Sequence, residues 1–221
     1  MAELAITNAT ILTADAAGTR HHDATMLIRN GRIVAIGADD ELADTAAGAN
    51  TLIDAGGMLV MPGLINTHCH IASTLFRGLV EDLPLEPWLQ RIWKAEAAIL
   101  NPQTTHLGSL LGLAEMALGG VTTVMDMFWH PHETVRASRQ LGMRISTGGI
   151  VFDAPGVTGH TVEQRFEEAE RFFQDFTNSD DVIPAIMPHG TYTVAPDNLK
   201  RARALADRHD GLFCTHAAET R

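Results

Sequence analysis

The sequence predicts an α/β fold in which a small N-terminal β subdomain precedes part of a (β/α)8 barrel. Short β-type segments fill residues 4–57, whereas strands alternate with helices after Pro62. Such alternation produces parallel strands joined by right-handed crossovers, as in an open doubly wound sheet or a barrel. No Gly-x-Gly-x-x-Gly follows any predicted strand, which weakens the nucleotide-binding doubly wound alternative.

The first subdomain, residues 1–57, is expected to be the N-terminal part of a composite β-sandwich. Asn30-Gly31 lies between two of its strands and predicts a type I′ hairpin, because both turn positions need a positive φ. The predicted strands cover residues 5–13, 25–28, 32–36 and 51–54.

The second region, residues 58–221, is expected to contain about five of the eight strands of the barrel. Asn101-Pro102 predicts the start of its first helix, and Gly119-Gly120 predicts the end. The predicted strands are 58–66, 121–127, 144–152, 182–188 and 212–216, and the predicted helices are 102–118, 131–142, 162–176 and 196–209.

The composition of this 221-residue chain limits the classes of partner that it can bind. The chain is 45% hydrophobic and has a formal charge of −11. Nucleic acid and anionic membranes bind clustered Lys and Arg, and the sequence has no such cluster, so we expect a small-molecule partner. Glu3 stands where a signal peptide carries basic residues, and no apolar stretch approaches the ~20 residues of a membrane span. A cytoplasmic location is therefore expected, and a homo-oligomer is compatible with the sequence.

Two histidines, His68 and His70, flank Cys69 at the end of the first predicted barrel strand. Side chains alternate along a strand, so both imidazoles project to one face and can bind one metal ion, while Cys69 projects to the other. The simpler alternative is a pair of hydrogen-bonded histidines without a metal. Cys69 and Cys214 form no Cys-x-x-Cys pair, and each is expected to pack as a small apolar side chain.

Other polar residues also lie where predicted strands end. Asp126 ends the second strand, His189 follows the fourth, and His216 with Glu219 follows the fifth. The carboxyl ends of barrel strands share one face, where barrel enzymes place their active sites. Each residue also has a plainer interpretation, with Asp126 as a helix cap, His189 in a solvated loop and Glu219 on the surface.

Five segments together resemble the amidohydrolase superfamily. They are PGLINTHCH at 62–70, TLFRGLVEDLPLEPWLQ at 74–90, GVTTVMDM at 120–127, PHGTYTV at 188–194 and THAAET at 215–220. The second segment, with Trp93 and Glu96 beyond it, is most similar to the methylthioadenosine and adenosylhomocysteine deaminase branch, which is related to cytosine deaminases and triazine chlorohydrolases.

The resemblance implies a role for each of these residues. His68, His70 and His216 would be metal ligands, and Glu219 would be the catalytic acid that shuttles a proton. His189 would contact the substrate ring, Glu96 would hold ribose hydroxyls, and Trp88 would line the substrate site.

The chemistry of deamination agrees with those roles. A bound divalent ion, zinc first and iron second, lowers the pKa of water to about 7, so that a metal-activated hydroxide can displace an exocyclic amine. Glu219 would move the proton to the ring nitrogen. The other zinc deaminase design, His-x-Glu with Pro-Cys-x-x-Cys, is absent from the sequence. We therefore expect a metal-dependent aminohydrolase acting on C–N bonds of an amino-substituted purine nucleoside or related heterocycle.

The substrate and the length of the chain remain open at this point. Relatives that act on adenosylhomocysteine carry an arginine after the third strand, where this chain has Thr147-Gly148-Gly149, which favours a methylthioadenosine-like substrate. A barrel takes roughly 250 residues, so we expect the N-terminal part of a longer enzyme, inactive by itself, through truncation, cleavage or a partial gene model. Three alternatives remain: a dechlorinating or other hydrolase of this barrel, a non-catalytic metal-binding fragment, and a cupin-type barrel. The predicted helices after Asn101 argue against the cupin-type barrel.

Overall fold

The computed structural model describes residues 2–219. The chain divides into two compact units, Met1–Gly63 and Leu64–Arg221. The predicted strand over 58–66 spans that division and is wrong in extent. It forms two separate strands, of which the first pairs in the first unit and the second in the other.

The first unit is one five-stranded sheet with a single helix. Its elements are β1 Leu4–Leu12, β2 Arg20–Arg29, β3 Arg32–Ala38, α1 Asp39–Ala47, β4 Thr51–Asp54 and β5 Leu59–Val60. The strand order is β3-β2-β1-β4, and β5 also pairs with β1. The β2–β3 turn has φ of 51° at Asn30 and 67° at Gly31, which confirms the predicted hairpin. The described residues of this unit form one sheet, so a composite sandwich stays a prediction.

The second unit contains five parallel strands and their crossover helices. Its strands are β6 Leu64–Cys69, β7 Val121–Asp126, β8 Arg144–Val151, β9 Val182–Pro188 and β10 Leu212–Phe213. Its helices are α2 Leu85–Ile99, α3 Pro102–Leu118, α4 Pro131–Gln140, α5 Val162–Phe176 and α6 Pro196–Arg208, with a 3-10 helix at Ile71–Phe76. Helix α2 was not predicted from the sequence.

Strand order distinguishes the two fold alternatives. The sheet runs β10-β9-β8-β7-β6, so each strand pairs with its neighbours in sequence. A doubly wound sheet reverses direction at a switch point, whereas a barrel winds one way. The predicted barrel architecture is therefore confirmed as a parallel half-barrel sheet, and this helix-rich parallel arrangement is not that of a cupin.

Helices α3, α4 and α5 pack on the sheet through a shared apolar cluster. Leu113 of α3, Val135 of α4 and Phe172 of α5 meet Val124 and Ile145 of the strands, and all five are buried. Capping boxes begin α3 and α5, because Asn101 pairs with Thr104 and Thr161 with Gln164. None of the described helices is both long enough and apolar enough to cross a bilayer.

Candidate active site

The end of β6 presents two histidines on one side of the strand. The Sγ atom of Cys69, on the other side, donates to the carbonyl of Met125 at 3.1 Å, and Cys69 packs against the core under the helices. Burial raises the pKa of the Cys69 thiol. The predicted alternation is confirmed, because His68 and His70 lie together opposite the sulfur.

Three histidines converge above the strand ends, and we call His68, His70 and His216 the histidine cluster. One ring nitrogen from each lies within 4.8 Å of the others. The ring centroid of His68 is 4.9 Å from that of His70 and 5.0 Å from that of His216. The side chains at the end of β6 and just beyond β10 thus lie together, as the sequence predicts.

Hydrogen bonds to carbonyl groups determine the tautomers of two members of the cluster. Nδ1 of His70 lies 2.7 Å from the carbonyl oxygen of Met127, and Nδ1 of His216 lies 2.6 Å from that of His189. A carbonyl oxygen only accepts, so each Nδ1 donates, and in the neutral ring the lone pair is on Nε2.

Those two lone pairs face each other, because Nε2 of His70 and Nε2 of His216 are 3.3 Å apart. A proton on one ring would relieve their repulsion, but burial lowers the pKa of His70, with neighbouring His216 as a further cause. A cation between the nitrogens relieves it without protonation. Three imidazole nitrogens are also a common donor set for zinc and similar divalent ions, so the residues fit such an ion.

Asp126, at the end of β7, is fully buried beside this segment. Its Oδ1 atom accepts a 2.7 Å hydrogen bond from the backbone N–H of Ile71, which follows His70. Burial raises the pKa of Asp126 to about 7. The carboxylate therefore holds the chain leaving β6 against the end of β7.

His189 and Glu219 lie next to the histidine cluster. The ring of His189 is 4.8 Å from that of His216, centroid to centroid, and burial is the main cause that lowers its pKa to about 4. Its Nδ1 is 2.9 Å from the hydroxyl of Thr193, which itself donates to the carbonyl of Gly190. Nδ1 of His189 is therefore the donor, and its Nε2 is an acceptor.

The carboxylate of Glu219 is exposed and is held by one neighbouring side chain. The hydroxyl of Tyr192 donates to Oε2 of Glu219 at 2.8 Å. Burial and this hydrogen bond together raise the pKa of the Tyr192 hydroxyl.

Glu96 and Trp88 both lie on α2. Trp88 is half-buried against the apolar residues Phe76 and Ile92. Glu96 is buried, and its Oε2 accepts a 3.0 Å hydrogen bond from the indole N–H of Trp129. Burial, as the larger cause, raises the pKa of Glu96 to about 7, while the Trp129 hydrogen bond opposes the shift.

One cavity of about 390 Å³ brings most of these residues together. Its size suits a nucleoside-sized ligand, and its wall is largely apolar. His68 belongs to the histidine cluster but not to the cavity wall. The predicted site residues in the wall are His70, Trp88, Glu96, His189, His216 and Glu219.

Two residues that contact this site, Trp129 and Tyr192, had no role predicted from the sequence. Trp129 follows the end of β7, which is a position where barrel residues reach the active-site face. Tyr192 follows β9 by four residues. Their positions after strand ends are the signal that could have identified them.

Comparison with known proteins agrees with the fold and identifies the family. The amidohydrolase family model matches residues 59–221. The 5-methylthioadenosine/S-adenosylhomocysteine deaminase of Syntrophobacter fumaroxidans is 37% identical over 219 residues, which are 99% of this chain and 50% of that protein. The 5′-deoxyadenosine deaminase of Methanothrix thermoacetophila is 36% identical over 197 residues, which are 89% of this chain and 45% of that protein.

A solved structure is similar over the same extent. An adenosine deaminase from Xanthomonas campestris, described with bound zinc, aligns with a TM-score of 0.92 and 30% identity, covering 99% of this chain and 50% of that one. The chain spans about half the length of the curated relatives it matches. On the family match and the shared fold, the chain belongs to the amidohydrolase family.

Proposed function

We propose that this chain contributes to a metal-dependent aminohydrolase that removes the amine from the purine ring of an adenine nucleoside. One observation carries the proposal: the Nε2 atoms of His70 and His216 face each other at 3.3 Å at the edge of the cavity whose wall includes Glu219. Deaminase relatives that cover nearly all of this chain support the same activity.

His68, His70 and His216 would hold one divalent ion. Zinc is the first choice, because imidazole nitrogens suit it and a structurally similar deaminase is described with zinc, and iron is the second. When bound, such an ion acts as a Lewis acid that makes hydroxide available near neutral pH. The carbonyls of Met127 and His189 keep the rings in the tautomer that offers Nε2.

Glu219 would move the proton during the reaction. Its carboxylate would accept a proton from the attacking water and deliver it to a ring nitrogen, and the remaining hydroxyl proton of the adduct would then pass to the amino group, so that the C–N bond breaks, ammonia leaves and a ring carbonyl forms. Tyr192 donates to Oε2 of Glu219 at 2.8 Å and so restrains the carboxylate. The other oxygen, Oε1, is then available for the transfer.

The remaining predicted residues would bind the substrate. Nε2 of His189 is an acceptor, which fits a donor group on the purine ring, and Trp88 adds apolar wall. Glu96 offers carboxylate oxygens to the two ribose hydroxyls, each of which is a donor.

The cavity favours a substrate without a charged group on the 5′ carbon. Among the lining residues that the structure describes, Arg77 is the only lysine or arginine. It is already paired with Glu115 through hydrogen bonds of 2.9 and 2.5 Å. An amino-acid carboxylate on the substrate would therefore lack a free basic partner in this wall, which favours methylthioadenosine or 5′-deoxyadenosine over adenosylhomocysteine.

The test is an ammonia-release assay on the complete natural protein that contains this sequence. We expect ammonia and the corresponding inosine product from methylthioadenosine, with kcat/KM higher than for adenosylhomocysteine. A chlorotriazine serves as the competing substrate, with chloride as the readout. Chloride release without ammonia release from any adenine nucleoside would overturn the proposal in favour of a dechlorinating hydrolase.

A further inference from the structure

Trp129 connects two elements that are distant in sequence. It follows β7, is 7% exposed, and donates its indole N–H to Oε2 of Glu96 on α2 at 3.0 Å. Glu96 is 5% exposed. A carboxylate buried to this extent needs hydrogen-bond donors, and the one donor to it in the described structure is this indole.

The indole is itself held from other directions. The guanidinium of Arg165 lies over its ring at 5.2 Å from the centroid, a cation–π geometry. Arg165 is 2% exposed and donates to the carbonyls of Ala154 and Pro155, in the loop after β8. These contacts fix the guanidinium, and the guanidinium in turn restrains the indole.

A glycine in the same loop, Gly156, also lies against the indole of Trp129. Gly156 has φ of +58°, and a Cβ atom at this position would lie 2.5 Å from Cη2 of Trp129. A side chain there would both strain the backbone and push the indole. The backbone at Gly156 therefore lies directly against the indole.

We propose that Trp129 is a positioning residue that orients the Glu96 carboxylate for recognition of the ribose 2′,3′-diol, and so sets the preference for ribonucleosides. The inference rests on the proposed diol-binding role of Glu96. By engaging Oε2, the indole leaves Oε1 free to accept from the substrate. A tryptophan that only filled space would be replaceable by phenylalanine without any change in diol selectivity.

The experiment compares two substrates in the complete natural protein. They are methylthioadenosine and its 2′,3′-dideoxy analogue, and the readout is the ratio of their kcat/KM values. For Trp129→Phe we expect this ratio to fall about tenfold, since the hydrogen bond that orients the Glu96 carboxyl group is lost. The loss should appear in KM for methylthioadenosine, with kcat nearly unchanged, because the amine lies away from the ribose.

Glu96→Gln is the matched reference variant. It should lower the same ratio, and the double variant Glu96→Gln with Trp129→Phe should be no worse than Glu96→Gln alone, because the indole acts through the carboxylate. If Glu96→Gln leaves the ratio unchanged, the diol-binding role of Glu96 is wrong and the inference falls with it. If Glu96→Gln lowers the ratio and Trp129→Phe does not, the positioning role alone is wrong.

A second variant covers the case in which Trp129→Phe does not fold. Gly156→Ala keeps every hydrogen-bonding group and adds a methyl group 2.5 Å from the present position of Cη2 of Trp129, so we expect the indole to be displaced. Metal content with a thermal melt establishes that the protein is folded. We expect the diol ratio to fall in this variant as well. An unchanged ratio in folded Gly156→Ala would overturn the proposal.

Discussion

Oδ1 of Asp126 accepts a 2.7 Å hydrogen bond from the backbone N–H of Ile71, and both residues are buried. Ile71 follows His70, and Met127, whose carbonyl oxygen is 2.7 Å from Nδ1 of His70, follows Asp126. Asp126 and Met127, at the end of β7, therefore form hydrogen bonds with Ile71 and His70, which follow β6. The position of His70 depends on this double attachment.

Replacing Asp126 should destabilise the protein in a way that depends on the acceptor. Asp126→Ala leaves the buried N–H of Ile71 without a partner, which costs about 1–3 kcal/mol. Asp126→Asn keeps an acceptor oxygen and should cost clearly less. Urea unfolding of the complete protein measures both, and equal losses for the two variants would contradict the attachment.

Replacing Glu219 tests the proton transfer. Glu219→Gln keeps the size of the side chain and can still accept from Tyr192, but it cannot carry the proton. General acid–base catalysis contributes about 10²–10⁴ in rate, so kcat should fall by at least about a hundredfold, with metal content unchanged. Tyr192→Phe, which removes only the restraint on Oε2, should lower kcat by less. Near-normal kcat in Glu219→Gln would show that the Glu219 carboxylate takes no part in the proton transfer.

The buried carboxyl of Glu96 should make stability depend on pH. Its pKa rises from 4.5 to about 7 in the folded protein, so between these values the folded state keeps a proton that the unfolded chain has released. Stability therefore falls as pH rises through this window, by up to about 3 kcal/mol from this group.

The measurement for Glu96 is the free energy of unfolding at pH 5 and at pH 7.5. Glu96→Gln has no proton to lose, so the difference between the two pH values should be smaller than in the wild type. The other titrating groups are common to both proteins and cancel in the comparison. An identical pH dependence in both proteins would show that Glu96 does not titrate in this range.

Local patterns were sufficient for the parts of the site that lie on one strand. His68 and His70 share a face because side chains alternate with a period of two, and the Asn30-Gly31 turn follows from backbone sterics at two residues. The convergence of His216 with these histidines needed one more assumption, the pairing of parallel strands in sequence order, which the observed sheet satisfies.

Contacts between distant elements were beyond the sequence patterns. Glu96 meets Trp129 across 33 positions, and the extent of α2 itself was not predicted. The first six residues of α2, 85–90, lie within the segment 74–90, which indicated a family resemblance and whose helical spacing was not used. The strand over 58–66 was wrong in extent because its apolar run continues through Pro62, although the two parts belong to different sheets.

The central claim is that the histidine cluster holds the ion on which deamination depends, and metal content measured with ammonia release on the same preparations tests it. The wild-type complete protein should contain about one divalent ion per chain, and His70→Ala should lose most of both the ion and the turnover. His132→Ala is the control, because that exposed imidazole on α4 pairs with Asp175 outside the cavity wall. It should retain both. Full metal content and full ammonia release in His70→Ala would contradict the account.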